Sequence, residues 1–321
     1  MDAALTFPGQ GSQFVGMGKD LADTFPAARA VFEEVDNALE TPLTTVMWEG
    51  PSETLTLTEN AQPALMAVSL AAMRVLESEK GWSVSDARFV AGHSLGEYSA
   101  LAAAGTLSIG DAARLLRIRG RAMQEAVPVG EGAMVALLGA DLESAAKVAE
   151  ACREATGLVC QIANDNAPGQ VVISGAKAAV EHATTIVKEF GIKRAMPLPV
   201  SAPFHCALMQ PAADRMEAAL ADVALTAPAV PLVANVTASP ATEPEEIRRL
   251  LVEQVTGSVR WRESILYMAE HGVRQIYEIG AGKILTGMVR RIDERLSGAS
   301  IGTPADLENI HRGSLSSAAS H

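Results

Sequence analysis

Arg88-Phe89-Val90-Ala91-Gly92-His93-Ser94-Leu95-Gly96-Glu97-Tyr98-Ser99-Ala100-Leu101-Ala102-Ala103-Ala104 passes from a short apolar segment, through two glycines, into an alanine-rich run. The apolar segment reads as a buried strand and the alanine-rich run as a helix. Between them Gly92 to Gly96 fits G-x-S-x-G, the sharp strand-to-helix turn that lifts a serine hydroxyl above the end of a sheet. The glycines allow the turn. The helix N-terminus behind Ser94 offers N–H groups and positive potential to an oxyanion. Small residues co-occur often, so the pentapeptide alone is weak, and the competing reading is a glycine-bounded helix cap. A strand before and a helix after favour the nucleophile.

Outward from this turn, Ala3 to Phe7 reads as a second buried strand, ending at Pro8-Gly9. Helical periodicity covers Ala27 to Leu39 and Ala61 to Glu77, and Asp111 is the expected N-cap of a helix that reaches Glu125 and stops before Pro128. From Ala133 to Pro197 the pattern tightens to strands at Met134 to Leu138, Val159 to Ala163, Gln170 to Ser174 and Lys193 to Met196. Helices fall between them, one from Asp141 to Gly157 and one from Ala176 to Phe190. The order β-α-β-β-α-β is that of a ferredoxin-like unit. Beyond Pro203 come helices at Leu208 to Asp222, Glu243 to Gln254 and Arg262 to Glu270, strands near Pro231 to Ala234 and at Arg274 to Ile279, and a last helix from Lys283 to Arg295. Strands separated by helices imply a largely parallel sheet covered on both faces. The expected division is a discontinuous large domain over 1–129 and 198–300, a small inserted domain over 130–197 and a tail over 301–321, frayed from Ser314 to His321.

Composition sets outer limits. The 321 residues suffice for one large α/β domain or two smaller ones, which typically hold about 100–200 residues each. With 48% hydrophobic but only 4% aromatic residues, the core must rest on Ala, Leu, Val, Ile and Met. The net charge of −12 argues against a nucleic-acid partner, and an acidic protein partner would need a local basic patch. Cys152, Cys160 and Cys206 are odd in number and lie in apolar surroundings, as reduced core thiols do. No basic leader opens the sequence and no run of about 18 apolar residues could cross a membrane. A cytoplasmic protein is expected.

A serine nucleophile needs a base supplied from elsewhere in the chain. Six histidines are available: His93, His182, His205, His271, His311 and His321. His93 adjoins Ser94, but neighbouring side chains diverge, and it reads better as a pocket wall. His205 follows Pro199-Val200-Ser201-Ala202-Pro203-Phe204, a proline-punctuated loop suited to fixing a side chain; the alternative is a satisfied core histidine. No acid can be singled out to complete a triad. Arg119 shares a helix face with Ala112, Leu115, Leu116 and Met123, all apolar. A guanidinium there stays charged and must be partnered, either by an internal carboxylate or by a substrate carboxylate. Gly9-Gln10-Gly11-Ser12-Gln13 is not a dinucleotide loop, because Phe14 stands where the third glycine belongs. No metal-ligand spacing occurs.

Taken together, these residues resemble the malonyl-CoA:acyl carrier protein transacylases of type II fatty acid synthesis and the acyltransferase domains of fatty acid and polyketide synthases. The resemblance is carried by Phe7 through Gln13, Gln62-Pro63-Ala64, Gly92 through Glu97, Arg117-Ile118-Arg119-Gly120, Asn166 through Gln170, Phe204-His205, Gln254-Val255 and Val259-Arg260-Trp261, and runs to about Arg295. It implies an α/β-hydrolase-like large domain with an inserted ferredoxin-like small domain and a cleft between them. It implies a Ser94-His205 dyad in which a main-chain carbonyl near Gln254 replaces the acid. Backbone N–H groups of Gln10 and Leu95 would form the oxyanion hole, and Arg119 would hold the free malonyl carboxylate. Gln62, His93, Asn166 and Phe204 are the further expected substrate contacts, Phe204 being similar to malonyl-selective members. The substrates implied are malonyl-CoA and phosphopantetheinylated acyl carrier protein, with no cofactor. A serine hydrolase on a related fold and a silent carrier-binding scaffold are the competing functions.

Overall fold

All five residues of β1 (Ala3–Phe7) are buried, as a strand must be when helices cover both faces of its sheet. The computed structural model describes residues 2–200 and 202–310. The remaining strands in chain order are β2 (Phe89–Gly92), β3 (Gly132–Leu138), β4 (Cys160–Ala167), β5 (Gln170–Ala176), β6 (Arg194–Pro197), β7 (Leu232–Val233), β8 (Pro240–Ala241), β9 (Gln275–Ile279) and β10 (Ser297–Ile301). One sheet has the order β10-β9-β1-β2-β7-β8 and is parallel except for the β7–β8 pair. β1 lies between β2 and β9, so the loop after Phe7 and the elbow after Gly92 leave the same sheet edge side by side. The fold is thus α/β, with the elbow at the carboxyl ends of parallel strands, where such sheets put their ligand sites.

The second sheet, β4-β5-β3-β6, is antiparallel throughout. With helices Leu142–Thr156 and Lys177–Ile186 between its strands, this is the ferredoxin-like order of a small domain carried on the large one. Side chains alternate along β3: Val135 and Leu137 pack with Val148 and Val180 under the small domain's helices, whereas Met134 and Ala136 join the large core. The small sheet is stitched to the connection between two large-domain helices by a parallel bridge between Asn164 and Val259, with Val259 N–H on the Ala163 carbonyl at 2.8 Å and Asp165 N–H on the Val259 carbonyl at 2.9 Å. Arg262 closes the stitch on Asp165 at 2.8 Å.

Several boundaries differ from the sequence reading. The N-cap of helix Ile109–Glu125 is Ser108, whose Oγ accepts from the Asp111 N–H at 3.0 Å, and Asp111 sits inside the first turn, where its charge still suits the helix dipole. The second small-domain helix tightens to 3₁₀ over Val187–Phe190. The last helix of the large domain spans only Thr286–Ile292, because the buried Glu278 carboxylate accepts the N–H groups of Leu285 and Thr286, at 3.2 and 2.7 Å, and fixes its start. Instead of continuing to Arg295, the chain turns into β10, which the sequence reading missed. A short helix, Pro304–Glu308, follows where only a tail was expected. The end from Ser314 to His321 lies outside the described residues.

Candidate active site

The elbow depends on two missing side chains. A Cβ on Gly92 would lie 1.8 Å from the Gly96 carbonyl oxygen, and one on Gly96 would lie 2.3 Å from that of Phe7. Only glycine permits that approach, and it sets Ser94 at φ 53, in the left-handed region that costs a side-chain-bearing residue on the order of 1–3 kcal/mol. Helix Gly96–Ala103 starts directly behind. His205 stands on a second such residue, φ 57, where the chain after Pro203 enters the turn Ala207–Met209.

These backbones converge. Ser94 Oγ lies 2.8 Å from His205 Nε2, and His205 Nδ1–H donates to the main-chain carbonyls of Gln254 and Gly257, at 2.9 and 3.1 Å. Two carbonyl acceptors fix the tautomer with the proton on Nδ1, leaving Nε2 free to accept from serine. His205 is 4% exposed. Burial, and next the positive field of Arg119, press its pKa down to about 3, so the imidazole is neutral.

Arg119 reaches the same point from helix Ile109–Glu125. Gly120 lets that helix approach the start of helix Thr58–Lys80, since a Cβ there would lie 2.5 Å from the Thr58 carbonyl oxygen. The guanidinium, 1% exposed, donates to Gln62 Oε1 at 2.8 Å, Gln254 Oε1 at 2.7 Å and Ser94 Oγ at 3.1 Å. Among the described residues no carboxylate forms an ion pair with it, and its Nε–H has no partner. The internal salt bridge weighed from sequence is therefore not what holds it.

A cavity of about 440 Å³ opens above these groups, between the two sheets. Ser94, His205, Arg119, Gln10, Leu95 and Gln62 line it from the large sheet's side, while Asn166, on β4, faces it from the small sheet and Phe204 closes another wall. His93 also lines it, its Nε2 2.8 Å from Asn166 Oδ1, and burial lowers its pKa. The Gln10 amide lies 3.5 Å from Thr58 Oγ1, and the main-chain N–H groups of Gln10 and Leu95 have no backbone acceptor among the described residues. Gln254 alone of the expected residues sits behind the cavity, fully buried. His182 and His271 are remote, the latter stacked on Tyr267. His311 and His321 lie outside the described residues.

Two neighbours of this cluster were given no role from the sequence. Asn235, fully buried just beyond β7, accepts from the Ser94 N–H at 2.9 Å and donates to the Gly92 carbonyl at 2.7 Å. Glu97, 1% exposed, accepts from the Asn235 N–H at 2.7 Å and from Gln254 Nε2. Burial pushes its pKa up to about 7. A single acid in an otherwise apolar helix was the available signal for Glu97, whereas nothing local marked Asn235.

The acyl transferase domain model matches residues 5–301. The malonyl CoA-acyl carrier protein transacylase of Bacillus subtilis strain 168 is 48% identical over 305 residues, covering 95% of each chain. The Escherichia coli K12 protein of the same name is 47% identical, over 95% of this chain and 97% of its own. Among solved structures, the acyl-carrier-protein-S-malonyltransferase of Bartonella henselae aligns with a TM-score of 0.93 at 57% identity, covering 96% of this chain and 98% of its own. A malonyl-transacylase solved with its type II PKS acyl-carrier protein aligns at 0.91 with 45% identity, covering 96% of this chain and 98% of its own. With a strand-elbow-helix serine, a facing histidine and a domain match across nearly its whole described length, the chain belongs to the acyl transferase domain family.

Proposed function

We propose that the protein transfers a malonyl group from malonyl-CoA to the phosphopantetheine thiol of acyl carrier protein, through an ester on Ser94, and so supplies malonyl units for fatty acid or polyketide elongation. The observation that carries this reading is Arg119: a buried cation beside the serine, held by neutral groups, with a donor to spare and a cavity in front of it. A free acyl carboxylate completes it. In the first half-reaction the Ser94 proton passes to His205 Nε2 as Oγ attacks the thioester carbonyl. Main-chain N–H groups of Gln10 and Leu95 hold the oxyanion, and the CoA sulfur leaves with the proton from His205. The carrier thiol then gives its proton to His205 and attacks the ester, and Ser94 Oγ leaves with the proton returned by His205. Thioester, ester and thioester exchange without a redox or metal step, so the reaction requires no cofactor. Gln62, His93, Asn166 and Phe204 shape the acyl and thioester pocket.

The large domain of 1–129 and 198–300 and the small domain of 130–197 supply opposite walls of this site. Three buried free cysteines suit a reducing cytoplasm, and no helix among the described residues is long and apolar enough to cross a membrane.

Intact-protein mass spectrometry after mixing with malonyl-CoA, without carrier, tests the scheme. A malonyl adduct is expected on the wild type and none on Ser94→Ala. Rapid transfer with no adduct, even on quenching within a turnover, would sink the two-step mechanism, and release of free malonate at the transfer rate would make water the acceptor.

A further inference from the structure

Glu97 is a buried carboxylate absent from the ion pairs formed among the described residues, and the mechanism above does not use it. Its place in the first turn of helix Gly96–Ala103 and its bond to the Asn235 N–H would suit a purely structural role. The Gln254 amide argues for more. Gln254 Nε2 faces three acceptors, the Ser94 carbonyl at 2.9 Å, Asn235 Oδ1 at 3.2 Å and Glu97 Oε2, so its Oε1 is the atom left to meet Arg119. An amide can be turned end for end, and Asn235 could turn with it, but the Ser94 carbonyl can only accept, and both Glu97 oxygens accept in the structure, one from the Asn235 N–H and one from Gln254 Nε2. Turning Gln254 would set its oxygen against Glu97 and the Ser94 carbonyl and its NH₂ against a guanidinium.

We propose that Glu97 is a positioning residue for acyl selectivity: by fixing the polarity of the Gln254 amide it aims the Arg119 guanidinium at the acyl carboxylate. The relay runs from the Glu97 carboxylate through the Gln254 amide to Arg119, while the Gln254 main-chain carbonyl independently holds His205. The proposal rests on the reading of Arg119 as the carboxylate-binding group. It separates two functions of one residue, because the side chain of Gln254 serves recognition and its backbone serves the base.

The test compares malonyl-CoA with acetyl-CoA, which lacks the carboxylate, by the rate of acyl-serine formation on the full-length protein. Glu97→Gln keeps the shape and an acceptor for Asn235 but can present a donor to Gln254, which removes one of the acceptors that hold the amide. The expected result is a fall of about ten- to a hundredfold in malonyl kcat/KM, mainly through KM, with acetylation unchanged. If Glu97→Gln does not fold, Glu97→Asp, too short to reach Gln254, is read in the same way. An equal fall for both acyl groups, or no fall, would each overturn the proposal. Arg119→Ala is the reference. If it too keeps the malonyl preference, the reading of Arg119 itself fails; if it loses the preference while Glu97→Gln keeps it, only the role of Glu97 is lost.

Discussion

Ser94 and His205 both occupy left-handed backbone, and the strain is local to the two residues whose side chains must meet. Arg119, by contrast, sits on unstrained helix and brings charge. Losing one partner of a buried charge pair typically costs roughly 3–5 kcal/mol, and about 1.4 kcal/mol is tenfold in rate. Arg119→Ala should therefore lower malonyl transfer by about two to three orders of magnitude and leave the slow reaction of acetyl-CoA unchanged or faster, as steady-state transfer assays with the two thioesters will read. Stability reports on His205 separately. Below its ordinary value of 6.5 the unfolded chain takes up a proton, whereas the folded imidazole resists one until about pH 3. The stability gained from neutral burial is thus complete above about pH 6.5 and is lost as pH falls towards 3. Glu97 acts in the opposite sense, its contribution being present below about 4.5 and lost as pH rises through about 7, so the two oppose each other in mildly acidic solution. Measured against His205→Gln, which cancels the Glu97 part, the wild type should lose roughly 1.4 kcal/mol per pH unit below about 6.5 in urea unfolding. Parallel curves would mean that the imidazole is already charged in the fold. Arg119 and His205 were legible in the sequence because a charge on an apolar stripe and a histidine after a rigid loop are local patterns. Asn235 was not, since its partners are far away along the chain.

At the scale of elements the elbow is the part the sequence stated most clearly: two glycines bracketed by a strand and a helix admit few other geometries. Gly92→Ala forces a Cβ into the Gly96 backbone, which cannot yield as a side-chain tip would. Overpacking typically costs about 1–3 kcal/mol, and a backbone that cannot yield puts this case at the upper end; chemical denaturation should show the loss together with an elbow serine that no longer acylates. A fully stable, active Gly92→Ala protein would mean that the turn is more adaptable than its contacts imply. Elsewhere the periodic segments were readable and the ends were not. Ser108 and Asp111 are both competent caps, and only the folded bond chooses between them. β10, Ser297–Ile301, has small residues and no clear alternation, so its strand character comes from pairing with β9 rather than from its own preference. Glu278, deep in the sheet, decides where helix Thr286–Ile292 begins.

For the molecule as a whole, a net charge of −12 means that the phosphate of the carrier's phosphopantetheine arm has to be drawn in locally. Arg114 is paired with Asp111 and Arg121 with Glu59, Arg117 is tied to Asn60, and Arg291 reaches the Pro168 carbonyl at 3.0 Å. Arg290 and Arg291 belong to helix Thr286–Ile292, and that helix and the turn before it also give Ile284, Leu285 and Met288 to the cavity. Lys283 adds a third exposed cation beside the mouth. The KM for the carrier should rise with salt over the range where screening shortens to about 8–10 Å. Arg290→Glu should raise it at low salt while Arg114→Glu should not, and a salt-indifferent KM would leave apolar contacts around Ile284 as the attraction. The large-scale division into two sheets could be read from the change in strand spacing, but their seam could not, because Asn164 and Val259 meet only after both sheets exist.

That seam has a consequence for how the protein can fail. Val259 lies just beyond Gly257 and Gln254, the residues whose carbonyls hold the His205 ring, so the roof over the cavity and the anchor of the base hang from one short piece of chain. On the mechanism proposed above, a displacement of the small sheet that admitted water to the ester would also pull on the stretch of chain that holds the imidazole. Leakage of the acyl group and loss of the base would then be a single fault.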